Sequence, residues 1–141
     1  MLERTGSLAS RGKNLAFEST LASRTLLHRI AAMRETGYQF HLIYLWLPSA
    51  DMAVQRVAAR VRSGGHAVPE AVIRRRYDRS LFNFFNLYRP VADSWLMLDN
   101  SDAPEPRAIA WRNVGGPVHI VRNGPWEHLR SRYETDPLSK K

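Results

Sequence analysis

The sequence predicts an α/β fold, with helices around a parallel sheet and a hairpin near the carboxyl end. Short apolar runs alternate with amphipathic helical patterns as far as residue 101. This alternation is typical of a parallel sheet with crossover connections. Residues 38–47 give the strongest strand signal, a nearly continuous run of aromatic and branched side chains, which predicts a strand covered on both faces. Residues 108–111 and 118–121 flank a glycine-containing turn, which predicts the hairpin.

Capping residues and prolines set the predicted helix limits. Ser23 and Ser49 precede amphipathic stretches as N-caps, and Gly37 stands where a left-handed C-terminal residue is needed. Pro69 opens a further helix, and Pro90 stops it. The remaining predicted elements are a helix over residues 2–11, strands over 15–18 and 95–98, and a short helix over 125–133.

Composition favours a single domain with an anionic partner. The chain has 141 residues, no cysteine and a net charge of +8. The absence of cysteine excludes disulfides and thiolate metal sites. The longest apolar run, residues 42–48, is far shorter than the roughly 20 residues of a membrane helix, and no signal peptide is apparent, so a soluble cytoplasmic protein is expected. Seven arginines lie between positions 56 and 79, against Glu70 and Asp78. Such a cluster indicates nucleotide phosphates, nucleic acid or an acidic protein as partner, or else a solvated helix face.

A phosphate-binding loop is missing. The motif G-x-x-x-x-G-K-[ST] occurs nowhere, and neither Gly64-Gly65 nor Gly115-Gly116 is followed by Lys-Ser or Lys-Thr. In that motif the backbone N–H groups surround the phosphates and the lysine neutralises them. A nucleotide-binding chain without it is therefore expected to be incomplete or inactive by itself.

Glu18-Ser19-Thr20 follows a predicted strand, at the sheet edge where α/β proteins bind ligands. Its carboxylate and hydroxyls could orient a sugar or alcohol hydroxyl, or hold a metal-bound water. In the alternative, the hydroxyls cap the next helix and Glu18 pairs with an arginine.

A second candidate site surrounds the glycine pair between two predicted helices. Arginines next to a flexible glycine hinge are typical of a lid that closes over transferring phosphates. Of the cluster at 74–76, at most two side chains can face one site, because they point in three directions around a helix. His66 would touch phosphate or lie in solvent. The phosphate and lid candidates are Arg60, His66, Arg74 and Arg76.

The aromatic residues Phe82, Phe84, Phe85 and Tyr88 recur at helical spacing, which predicts core packing rather than base stacking. No helix-turn-helix, zinc-finger or RNP-like motif is present, so nucleic acid is not the expected partner.

Two long strings, "LERTGSLASRGKNLAFESTLASR" and "GYQFHLIYLWLPSADMAVQRVAARVRSGGHAVPEAVIRRRYDRSLFNFFNLYRPVADSWLMLDNS", resemble the C-terminal two-thirds of the zeta-toxin-like P-loop kinases. The resemblance covers about residues 2–101. It implies a three-layer P-loop kinase fold and phosphorylation of UDP-N-acetylglucosamine, with ATP and Mg²⁺ as cofactors. It also implies an antitoxin as partner. Glu18 and Thr20 match the substrate-binding motif, and Arg60 with an arginine of the 74–76 cluster matches the lid. His66 lies in that lid. No metal-binding residue is carried over.

The family's first strand, its phosphate-binding loop and its downstream catalytic Asp have no counterpart. The resemblance therefore implies an N-terminally truncated phosphotransferase, inactive as this chain, with a domain over residues 1–127 and a polar tail over 128–141. Its missing N-terminal half and a second copy are further candidate partners, and no membrane partner is expected. The alternative is a non-catalytic degenerate homologue that binds a protein, nucleotide or nucleic acid through its arginine face.

Overall fold

The computed structural model describes residues 14–101 and 104–135 as a mixed α/β domain. The predicted α/β class and C-terminal hairpin are confirmed. The predicted helix over residues 2–11 lies outside the described residues. In chain order the elements are α1 (Thr25–Glu35), β1 (His41–Trp46), α2 (Ala50–Arg62), α3 (Glu70–Asn83), a π-helical turn (Phe84–Tyr88), a 3-10 turn (Arg89–Val91), β2 (Ser94–Asp99), β3 (Arg107–Arg112), β4 (Val118–Ile120) and α4 (Asn123–Tyr133).

The four described strands form one sheet in the order β1-β2-β3-β4. β1 and β2 are parallel, with His41 opposite Ser94 and Trp46 opposite Asp99. β2 with β3 and β3 with β4 are antiparallel, because the hairpin adds its strands to the sheet. The described sheet is therefore mixed, and the parallel arrangement that the sequence predicts is found in its first pair.

Two helices end at a glycine in the left-handed conformation, which confirms the prediction made for Gly37. After α1, Gly37 has φ of +94° and donates to the Arg34 carbonyl, while Tyr38 donates to the Met33 carbonyl. After α2, Gly64 has φ of +93° and donates to Val61. Both patterns are Schellman motifs, in which a left-handed residue lets the chain satisfy the last helical carbonyls.

The predicted caps are confirmed or lie one residue away. Ser49 caps α2 by accepting from the Met52 N–H at 3.2 Å. Ser23 instead accepts from the Thr25 N–H, so that Arg24 occupies the N-cap position of α1. Pro69 is the N-cap of α3 rather than its first residue.

The predicted strand over residues 15–18 is wrong. These residues are neither strand nor helix, and no described strand pairs with them. A strand requires a hydrogen-bonded neighbour, and an apolar run cannot provide one by itself.

The core is an aromatic cluster between the helices and the sheet. Phe84, Phe85 and Tyr88 are at most 1% exposed, which confirms their prediction as core residues, whereas Phe82 is 37% exposed and the prediction is wrong for it. Trp95 of β2 stacks on Trp126 of α4, with ring centroids 5.4 Å apart. These contacts bury the π-helical turn against β2 and α4.

Helix α4 continues past residue 127, so the predicted boundary between domain and tail falls inside it. Leu129 is 2% exposed and belongs to the core. The carbonyl of Tyr133 accepts from the Asn86 side chain at 2.7 Å, and Glu134 pairs with Arg89. Residues 128–135 therefore pack as part of the domain. Among the described helices, none is long and apolar enough to cross a membrane.

Candidate functional site

An open cleft of about 1360 Å³ lies beside β1. We call it the β1 cleft. Residues 14–21, parts of α1, α2 and α3, and most of β1 line it. Pockets for small molecules usually have volumes of about 300–1,000 Å³, so this cleft has room for more than one small ligand.

The backbone of β1 is paired on one side. The carbonyls of Phe40 and Trp46 accept from residues that flank β2, Asp93 and Asn100, at 2.8 Å each. Because the polar groups of successive residues point to opposite edges of a strand, the even-numbered residues face β2. The backbone groups of His41, Ile43 and Leu45 therefore point away from β2, and all three residues line the β1 cleft.

One face of β1 is exposed as well. Ile43 is 65% and Leu45 is 54% exposed, whereas Leu42 and Trp46 on the opposite face are buried. The prediction that this strand is covered on both faces is therefore wrong for the described residues. The sequence pattern did not separate the two faces, because both carry apolar side chains.

Burial and hydrogen bonding hold the polar groups of the inner face of the cleft in place. The hydroxyls of Tyr44 and Ser80 lie 2.6 Å apart, and Tyr77 donates to the Leu47 carbonyl at 2.7 Å. Burial raises the pKa of Tyr44, and burial also raises that of Tyr77. Both phenols are therefore neutral hydrogen-bonding groups at neutral pH.

Glu18 and Thr20 are placed by the residue that follows them. Leu21 is 5% exposed and has φ of +54°, a conformation that bulky residues adopt rarely. Its N–H donates to the Ser19 hydroxyl at 3.1 Å, and its carbonyl accepts from the buried Asn83 side chain at 2.7 Å. This anchor turns the chain so that Glu18 and Thr20 line the β1 cleft with exposed side chains.

Arg60 and Arg76 line the same cleft, from the C-terminal half of α2 and from α3. Both side chains are exposed, and neither has an ion pair among the described residues. Gly65 fixes the Arg60 backbone, because its N–H donates to the Arg60 carbonyl at 2.9 Å. Four of the six predicted site residues, Glu18, Thr20, Arg60 and Arg76, thus surround one cleft.

The other two predicted residues lie elsewhere. Arg74 pairs with Asp51 at 2.6 Å and with Glu70 at 2.8 Å, and it does not line the β1 cleft. Hydrogen bonds to the same two carboxylates raise the pKa of Arg74. His66 is exposed in the connection between α2 and α3, and it does not line the cleft either. The predicted lid role of these two residues has no support from their positions.

Among the described residues, the glycine pairs and the acidic side chains give no support for ATP or Mg²⁺, which stay predictions. The N–H groups of Gly64 and Gly65 already donate to the helix end, and that of Gly116 donates to Asn113 at 3.1 Å. These three N–H groups are therefore not free to form a phosphate cradle. Within residues 14–101 and 104–135, no group of three or more His, Asp or Glu side chains is arranged to hold a metal ion.

A buried carboxylate lies at the carboxyl end of β2. Asp99 is 4% exposed and accepts hydrogen bonds from the Ser101 N–H and hydroxyl and from Arg122. Burial raises the pKa of Asp99, but these hydrogen bonds outweigh burial and bring the pKa below its ordinary value. The sequence placed Asp99 at a strand end. Nothing in the sequence pointed to Arg122 as its partner.

Comparison with known proteins gives one partial similarity. Over 60 residues the chain is 35% identical to a protein of Haemophilus influenzae described as uncharacterized. The matched stretch covers 43% of this chain and 43% of that protein, so the chain spans less than half of the relative's length. No family model matches the chain, and no solved structure matches it. The zeta-toxin-like resemblance, the three-layer P-loop kinase fold and the kinase activity therefore stay predictions.

Proposed function

We propose that the chain supplies the acceptor-binding and lid side of an ATP-dependent phosphotransferase, with a nucleotide sugar such as UDP-N-acetylglucosamine as acceptor. The observation that carries the proposal is the shared cleft. Glu18 and Thr20 line it together with Arg60 and Arg76, although these pairs come from distant parts of the chain. The zeta-toxin-like resemblance supports the same roles.

The residue types suit this chemistry. A carboxylate such as Glu18 accepts a hydrogen bond from an acceptor hydroxyl and so orients it, and the Thr20 hydroxyl offers a second hydrogen bond. The guanidinium groups of Arg60 and Arg76 offset the negative charge of a nucleotide diphosphate or a transferring phosphoryl group. Since the described residues lack a phosphate cradle, the proposal requires that another polypeptide segment supply it. The chain alone is then inactive.

Nucleotide-sugar binding tests the proposal without requiring catalysis. Titration of the isotope-labelled chain with UDP-N-acetylglucosamine should shift the amide resonances of Glu18, Thr20 and Arg60. Arg60→Ala should weaken binding by about tenfold, the value of one lost charge-assisted hydrogen bond. Arg62→Ala is the matched control, because Arg62 is exposed on the same helix but does not line the cleft. Absence of shifts at these residues, or equal effects of the two variants, would contradict the proposal.

The arginine face supports a second candidate, a non-catalytic protein that binds an anionic partner. Arg62, Arg75 and Arg79 are exposed, without an ion pair among the described residues and outside the β1 cleft. The parent chain should bind a single-stranded oligonucleotide, and this binding should weaken steeply as salt is added. Replacement of all three arginines by alanine should abolish the binding, whereas Arg60→Ala should leave it in place. If the parent chain does not bind the oligonucleotide at low salt, this candidate fails for nucleic acid.

A further inference from the structure

We propose that the edge of β1 that pairs with no described strand, which we call its free edge, is a docking site for one extended β-strand of a partner polypeptide. The strand has apolar side chains at alternate positions and an acidic residue at one end. Such strand addition uses main-chain hydrogen bonds for affinity and alternate side chains for specificity. The proposal goes beyond phosphoryl transfer and does not depend on it, since it concerns the sheet edge rather than a reaction.

The backbone of β1 supplies the first argument. His41, Ile43 and Leu45 turn their N–H and carbonyl groups away from β2 and line the cleft. Proteins usually protect a free edge with charged side chains, prolines or bulges. At the centre of β1 the side chains on the exposed face are Ile43 and Leu45, which are apolar and give no such protection.

The opposite side of the cleft supplies the second argument. Residues 14–18 line the β1 cleft in a non-helical conformation, yet no ladder joins them to β1. No described strand therefore occupies the edge of β1 that borders the cleft. An extended strand that adds there can form main-chain hydrogen bonds with that edge.

Charge supplies the third argument. The cationic residues that line the cleft include Arg34, Arg60 and Arg76, and the carboxylate that lines it is Glu18. Arg34 is paired with Asp93 at 3.1 Å, whereas Arg60 and Arg76 have no ion pair in the described part of the chain. The whole chain carries a net charge of +8. An acidic residue on the incoming strand would therefore complement the cleft.

A displayed library of random peptides tests the proposal. Peptides of about twelve residues cover the usual strand length of 3–10 residues. Those enriched on the immobilised chain should alternate apolar and polar residues and carry Asp or Glu near one end. Binding should protect the Ile43 and Leu45 amides from hydrogen exchange. Methylation of alternate backbone nitrogens of a selected peptide should weaken binding by at least about tenfold, because it removes the N–H donors along one edge of the peptide.

Two matched variants locate the binding edge. Ile43→Lys puts a charge on β1 at an exposed position, and it should weaken peptide binding by about tenfold through desolvation of the lysine. Val118→Lys makes the same change on β4, the other edge of the described sheet, at a side chain that is 46% exposed, and it should leave binding unchanged. Thermal melts of both variants check that the fold is retained. If Ile43→Lys does not fold, the binding of the methylated peptide to the parent chain tests the proposal instead.

Several results would overturn the proposal. Enriched peptides without alternation, equal binding to both variants, or no enrichment over an unrelated protein would show that β1 does not accept a strand. Loss of a chain dimer in Ile43→Lys, measured by sedimentation equilibrium, would assign the edge to a second copy instead. Hydrogen exchange gives a further outcome. If the amides of Ile43 and Leu45 are protected in the free chain, and deletion of residues 1–13 removes this protection, the edge of β1 binds the chain's own N-terminal segment instead.

Discussion

The buried side chain of Asn83 donates a hydrogen bond of 2.7 Å to the carbonyl of Leu21, and this bond connects α3 to the segment that carries Glu18 and Thr20. Leu21 adopts a left-handed backbone conformation, which costs free energy unless the surrounding structure enforces it. Asn83 therefore holds in place the segment through which Glu18 and Thr20 line the β1 cleft.

Replacement of Asn83 tests this relationship. Asn83→Ala should lower the free energy of unfolding by about 1–3 kcal/mol, because the Leu21 carbonyl loses its buried partner. It should also reduce the shifts that UDP-N-acetylglucosamine causes at Glu18 and Thr20. Asn86→Ala is the control, since it removes side-chain hydrogen bonds to the Tyr133 carbonyl and from Thr135, all outside the β1 cleft. If the two variants lose similar stability and reduce the resonance shifts caused by the nucleotide sugar equally, Asn83 has no positioning role.

Gly65 has no room for a side chain. A Cβ at this position would lie 2.9 Å from both the carbonyl oxygen and the Cγ of Arg60. Gly65→Ala should therefore displace Arg60 and destabilise the domain by about 1–3 kcal/mol, a typical cost of overpacking. Urea unfolding measures the change. Gly124→Ala in α4 is the control, because its Cβ would meet nothing within 4 Å and an exposed substitution of this kind should change stability by at most about 0.5 kcal/mol. Unchanged stability of Gly65→Ala would contradict the close contact.

The lowered pKa of Asp99 predicts how stability depends on pH. A carboxylate with a folded-state pKa below its unfolded value, about 3.9, stabilises the fold above that value and loses this contribution as the pH falls through the folded pKa. Asp99→Asn should therefore destabilise the domain at pH near 7, and its difference from the parent should shrink as the pH falls through the folded pKa of Asp99. At neutral pH the loss should lie near the lower end of the 3–5 kcal/mol typical of broken buried ion pairs, because Arg122 is one-third exposed.

Asp51→Asn is the control for this measurement. Asp51 is 70% exposed in its ion pair with Arg74, so its replacement should change the free energy of unfolding by at most about 1 kcal/mol. If Asp99→Asn lowers the free energy of unfolding by the same amount at neutral and at acidic pH, the loss does not come from the charge of the carboxylate.

Local chemistry made some elements predictable from the sequence. The roles of Ser49 and Gly37 depend on neighbours within a few residues, so their patterns identify the ends of α2 and α1. Whether residues 15–18 form a strand depends on a neighbouring strand to pair with, and the local sequence does not specify one. The exposure of Ile43 likewise depends on which helices cover the sheet. The sequence prediction was wrong at these positions because their structure depends on contacts between residues that are distant in the chain.

The candidate site shows the same division. Glu18 and Thr20 were predicted from their place after an apolar run, and the structure places them with Arg60 at the cleft. Arg74 was predicted on the same grounds as Arg76, because both belong to one cluster. Their difference arises from Asp51, which lies on another helix and pairs with Arg74. The importance of Asn83 could not be predicted, since a polar residue in a helix is usually exposed.

The last prediction concerns ATP. The N–H groups of Gly64, Gly65 and Gly116 are all engaged in backbone hydrogen bonds, so none of them is free to bind phosphate. Arg60 and Arg76 supply charge without such a cradle. Calorimetry should therefore detect weak or no binding of ATP with Mg²⁺ to this chain, whereas UDP-N-acetylglucosamine should bind under the same conditions. Any weak ATP binding should weaken further with salt, as expected for unspecific attraction between exposed charges. Micromolar, salt-resistant binding of ATP would show that the chain contains a phosphate site of its own.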